Sequence, residues 1–152
     1  MYASLITATT GLLSLASAAS IAPRQAAVVD VYFNGSNFQE GCSPGGCLAT
    51  FNLTAAADEA SGMPAFDVFC HPVYIQQGFI DCDAVTPYAA GQRVAAWWPD
   101  ASVRENIKLV FEHIYPGQGD FQYNATGSIE FVGDGAASDF SAHITNLFVV
   151  QS

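Results

Sequence analysis

The chain of 152 residues has 14 acidic and 4 basic side chains, a net charge of −10, and is 51% hydrophobic with only 12% charged residues. So apolar a composition excludes a disordered chain. The four bases, Arg24, Arg93, Arg104 and Lys108, are too few to neutralise a phosphate backbone, which argues against nucleic-acid binding and against anchoring to an anionic membrane.

Residues 1–18, "MYASLITATTGLLSLASA", read as a secretory signal peptide: an uncharged apolar run from Leu5 to Ala18 ends on the small residues Ala16, Ser17 and Ala18. Its n-region departs from the usual pattern in lacking Lys and Arg. The run is short for a membrane span and no basic flank follows it. The closing "NLFVVQS" lacks the long apolar tail of a lipid-anchor signal. The expected location is therefore secreted and extracellular. Residues 19–27 are expected to be a short pro-segment or flexible N-terminus, with Arg24 a candidate processing site. Residues 28–152 are then one all-β secreted domain.

Along that domain, "AVVDVYFNGSNF" (26–37) reads as a strand that turns at Asn34-Gly35. "CLATFNLT" (47–54) alternates like a half-buried strand, and 55–64 is a loop. "AFDVFC" (65–70) and "GFIDC" (78–82) are short strands expected to pair, and "QRVAAWW" (92–98) is another. "VRENIKLVFEHIY" (103–115) fits either period. As a helix, Val103, Ile107, Val110, Phe111 and Ile114 share a face; as a strand, Ile107, Leu109, Phe111, His113 and Tyr115 do. Its β-branched and aromatic content favours the strand. "FQYNATGSIEFVG" (121–133) and "FSAHITNLFVV" (140–150) close the chain. The fold class expected is all-β, a single antiparallel β-barrel or sandwich of about eight strands.

Four cysteines, Cys42, Cys47, Cys70 and Cys82, in an oxidising compartment predict two disulfides. The turn formers of "CSPGGC" and the Pro72- and Gly78-bearing loop between the later two favour Cys42–Cys47 and Cys70–Cys82, with crossed pairing as the alternative. By loop entropy these stabilise by roughly 2 and 3 kcal/mol. Neither C-x-x-C nor H-x-x-x-H spacing occurs, so metal and redox roles are not expected. Three sequons, at Asn34, Asn52 and Asn124, are candidate N-glycosylation sites. Asn34 and Asn124 read as turn-like, whereas Asn52 falls mid-strand.

No local motif of a hydrolase is present. A ribonuclease would draw on Glu112, His113, His71 and Arg93, yet in a strand Glu112 and His113 point to opposite faces. A glycosidase would pair Asp67 with Asp81 across the two short strands. Asp81 and Asp83 of "DCD" are a thin beginning for a calcium site. In "AAWWP" at most one of Trp97 and Trp98 fills the core. The other is covered by a neighbour or offers a stacking face, so these two mark the candidate binding surface.

The stretches "APRQ", "VVDVYFNGSNFQEGCSPGGCLATFNLT", "FDVFC", "GFIDC" and "GSIEFV…FSAHITNLFV" together resemble the Alternaria major-allergen-like family of small secreted fungal proteins, which includes elicitors of the plant hypersensitive response. The similarity runs from about Val28 to Val150 and rests on strand texture and cysteine placement. It implies a β-barrel with local disulfides, no catalytic residues, and activity through binding host proteins or small ligands. Cys70 and Cys82 match the family's mid-chain disulfide loop in placement. This chain lacks the family's C-terminal cysteine pair and has no cysteine spare for a covalent dimer. The expected function is a secreted effector, elicitor or allergen-like protein, non-catalytic and without cofactor or metal. The alternatives are a secreted hydrolase of RNA or glycan and a carbohydrate-binding module.

Overall fold

The computed structural model describes residues 30–74, 78–88, 90–100, 106–117, 121–132 and 138–151. The signal-peptide and pro-segment readings, with Arg24, lie outside them. Among the described residues there is no helix, and nine strands follow in order: β1 (Tyr32–Ser43), β2 (Gly46–Ala55), β3 (Phe66–Cys70), β4 (Ile80–Asp81), β5 (Asp83–Ala84), β6 (Arg93–Trp97), β7 (Ile107–Pro116), β8 (Phe121–Phe131) and β9 (Ser138–Gln151).

Every ladder is antiparallel, and the hydrogen-bonded order is β4-β6-β7-β8-β9-β1-β2-β3-β5. The two ends of that order are separated in the chain only by Cys82. Ile80 and Asp81 pair with Ala96 and Ala95 of β6, while Asp83 and Ala84 pair with Phe69 and Val68 of β3. β4 and β5 are thus two halves of one short strand, and the sheet curls into a nearly closed up-and-down barrel. This is how an antiparallel sheet disposes of its edges. Cys82 rivets the seam: its N–H donates to Val94 O at 2.9 Å, and its sulfur is bonded to Cys70 at the end of β3. The other disulfide, Cys42–Cys47, joins a directly opposed pair flanking the β1–β2 turn. Both pairings are those favoured by spacing, and no cysteine is free.

The stretch that fitted two periods is a strand over its described part. Ile107, Leu109, Phe111, His113 and Tyr115 are all buried on one face of β7, so side-chain alternation decided the outcome. Two expectations fail. "AFDVFC" does not pair with "GFIDC" as drawn, because β4 turns to β6 and only the next two residues reach β3. Nor does Asn34-Gly35 turn the chain; β1 runs straight through it. Gly35 is needed for a different reason, since a Cβ there would lie 2.0 Å from the ring of Phe140 on β9. A bulge follows, shifting the register between Ser36 and Gln39 against β2 and between Gly35 and Phe38 against β9, with Asn37 at φ 55.

An eight-stranded ring has a lumen just wide enough for side chains to fill, and here aromatic rings fill it. Phe38, Phe51, Phe111, Phe131 and Phe140 form one cluster with centroids 4.9–6.4 Å apart. Phe33, Phe66, His113, Tyr115 and Tyr123 form another. The β2–β3 loop then caps one end of the barrel. Asp58 accepts from Ser61 N at 2.8 Å and from its hydroxyl, which holds Asp58's carboxyl pKa below the usual value. That turn seats Met63 in the core. A void of about 10 Å³ is left beneath it, lined by Val31, Ser61, Met63, Tyr115, Ala125, Ile144 and Leu147.

Candidate binding surface

The residues that sequence patterns nominated for chemistry are spread over both faces of the barrel. His113 lies in the lumen, fully buried, with neither ring nitrogen hydrogen-bonded. Phe66, Tyr115 and Phe33 face it at 4.8, 4.9 and 6.3 Å between centroids. Burial in that apolar box pushes its pKa down to about 4. Glu112, the preceding residue, points to the outer face, so the ribonuclease set is split by the barrel wall.

On the outside, Arg93 crosses three strands. Asp81, Ala95 and Glu112 share one rung of β4, β6 and β7. The Arg93 side chain spans the small, fully buried Ala95, donating from Nε to Asp81 at 2.5 Å and from Nη1 to Glu112 at 2.5 Å. Asn124 of β8 extends the set, its Nδ2 donating to the other Glu112 oxygen at 3.4 Å. Burial alone lowers Arg93's pKa, but the bond to Asp81 and the Glu112 charge outweigh it, and the net shift is upward. Arg93 is thus held charged by protein carboxylates. Asp67 on β3 and Asp81 on β4 sit on strands that do not pair with each other, so the cross-strand glycosidase pair expected from the sequence is not formed. Asp83 lies 3.7 Å from His71, and Asp30 lies 3.3 Å from His143. These two His–carboxylate contacts are surface pairs, each acid largely exposed.

Trp98 is completely buried, which removes it from the candidate surface. Trp97 is half-buried beside Phe79, with ring centroids 6.0 Å apart. The pair behaves as core plus cover, as alternation along a strand requires. The sequons also sit differently from expectation. Asn34 and Asn124 lie within β1 and β8, not in turns, because each strand is laddered on both sides. In β1 and β2 two sequons face each other in register, Asn34 opposite Thr54 and Ser36 opposite Asn52.

Beside the β1 bulge the outer face carries a feature that no single stretch of sequence displays. A groove of about 490 Å³ crosses β2, β1 and β9, lined by Asn34, Gly35, Ser36, Thr54, Asp139, Phe140 and Ser141. Ser141 donates its hydroxyl to Asn34 Oδ1 at 2.9 Å, and Thr54 donates to Asn34 O at 3.3 Å. Asp139 accepts from the N–H of the bulge residue Asn37 at 3.3 Å. One rung along, Tyr32 stacks on His143 with centroids 4.9 Å apart. A second cleft, about 340 Å³, lies between the 59–62 turn and the end of β7, lined by Glu59, Ser61, Pro116, Gly117 and Tyr123 among others. Its Ser61 hydroxyl is already engaged by Asp58. Compared with protein-family models, curated proteins and solved structures, the chain matches none.

Proposed function

We propose that this protein is a secreted, non-catalytic effector or elicitor of the Alternaria major-allergen-like kind, which acts by presenting its outer surface to a host protein or small ligand. The observation that carries the reading is the filled lumen. Among the described residues two clusters of rings pack the inside, with a void of only about 10 Å³ at the capped end, which leaves little space there for an internal ligand. Recognition falls to the outer face. The two disulfides suit an oxidising extracellular compartment, and a barrel with local disulfides is the architecture that the resemblance implies.

The test is infiltration of the oxidised mature protein into leaves, scoring cell death and oxidative burst beside a reduced, alkylated control. A response abolished in the control is expected, and one retained by a His71→Ala variant. Silence in several plant species, or loss of the response on that substitution, would overturn the reading in its non-catalytic form.

A further inference from the structure

We infer that the groove across β2, β1 and β9 binds a neutral oligosaccharide. This deepens the surface-binding reading by naming a ligand class for the outer face.

Shape comes first. Beside the register shift at Ser36–Gln39 the outer face carries a broad, shallow hollow of about 490 Å³, open enough to take an extended chain lying along the surface. Its lining supplies both halves of what a sugar hydroxyl needs. The Asn34 carbonyl is occupied by Ser141, which leaves the amide nitrogen to donate. Asp139 has one carboxylate oxygen on the Asn37 N–H and the other to accept. The hydroxyls of Thr54 and Ser141, whose protons already go to Asn34, accept, and that of Ser36 can do either. An aromatic rung adjoins this polar one, as Tyr32↔His143 is followed on the same face by Asn34↔Ser141. Tyr32 stays 46% exposed while stacked on His143, and Asp30 pairs with His143 from beyond. A half-exposed aromatic ring next to amide, hydroxyl and carboxylate groups suits a pyranose, which carries apolar C–H faces between its hydroxyls. Charge narrows the class further. Asp139 is the lone charged residue in the lining and the chain's net charge is −10, so polyuronates are repelled and neutral glycans are favoured.

The experiment is an NMR titration of the full oxidised chain from a non-glycosylating host with cellohexaose, laminarihexaose, xylohexaose and N-acetylated chitohexaose, and polygalacturonate as the anionic control. At least one neutral hexasaccharide should give saturable shifts confined to 32–36, Thr54 and 139–143. Asp139→Ala and Ser141→Ala should each weaken it about tenfold, the size of one lost charge-assisted bond. Asp139→Asn, which keeps the shape, should retain the fold and lose affinity, and Trp97→Ala should change nothing. No shift with any neutral sugar, shifts centred on Trp97, or equal binding of polygalacturonate would overturn the proposal. So would peptide mass spectrometry finding Asn34 fully glycosylated in chain from a eukaryotic host, since the protein's own glycan would then fill the groove. The titration is independent of the leaf assay, so failure of one is distinguishable from failure of the other.

Discussion

His113 and Glu112 are adjacent in β7, both nearly out of contact with water, and the barrel treats them in opposite ways. Glu112, 7% exposed on the outer face, has both of its oxygens bonded, by Arg93 and Asn124. His113, on the inner face, has neither ring nitrogen hydrogen-bonded among the described residues and lies against the rings of Phe33, Phe66 and Tyr115. One group is stabilised by compensation, and the other is kept neutral by desolvation. A single strand therefore carries two ionisable groups whose failure modes differ: one fails when a partner is removed, the other when protons are added.

The inner face should show the larger effect. In the folded chain His113 titrates at about 4, against 6.5 when unfolded. Above the unfolded value both states hold a neutral imidazole, and stability is complete. As pH falls from 6.5 towards 4 the unfolded chain binds a proton that the folded chain refuses, so stability drops, by roughly 3 kcal/mol over the whole window. Urea unfolding at stepped pH should record that loss, and His113→Leu should flatten this part of the profile. An unchanged slope in His113→Leu would assign the acid sensitivity to other groups.

Breaking compensation on the outer face should cost somewhat less, because Arg93 is itself part-exposed and water can return. Arg93→Met leaves Glu112 charged beneath the surface with Asn124 alone, and is expected to cost about 2 kcal/mol. Adding Glu112→Gln should recover most of it, since the stranded charge is then gone. The double-mutant cycle measures the coupling directly. If the second substitution instead deepens the loss, packing over Ala95 matters more than charge.

How far sequence alone could foresee this contrast depended on the range of the interactions. Alternation in "IKLVFEHIY" placed Glu112 and His113 on opposite faces and named all five inner residues of β7, because a strand's period is local. The two disulfides were equally legible, each closing a short loop. Trp97 and Trp98 divided as adjacent strand residues must. What escaped had distant partners. Asn34-Gly35 has the chemistry of a turn, yet Gly35 serves Phe140, far along the chain, and β9 keeps the segment extended. Asn124 has turn-like neighbours, but ladders to β7 and β9 override them. Arg93 joining Asp81 to Glu112 needs the barrel seam at 80–84, which depends on register accumulated around the whole ring. The groove draws on positions 34–36, 54 and 139–141, from three strands, so no window of sequence contains it.

A second ion pair sharpens the comparison from the weak side. Lys108 and Glu130 oppose each other across β7 and β8, 3.0 Å apart. They form a close contact, on the strand that carries Glu112. Distance alone would rank them with the Arg93 network. Burial ranks them far below it, because both side chains are about half exposed, 47% and 55%. Water already solvates each charge, and holding two long side chains in one geometry costs entropy. Lys108→Ala should therefore change unfolding stability by less than about 0.5 kcal/mol, and molar salt should erase even that. The Arg93→Met penalty should persist in the same salt, since ions do not reach Glu112. If salt removed both penalties alike, Glu112 would be as well solvated as Glu130, and the distinction drawn between the faces of β7 would reduce to the histidine alone.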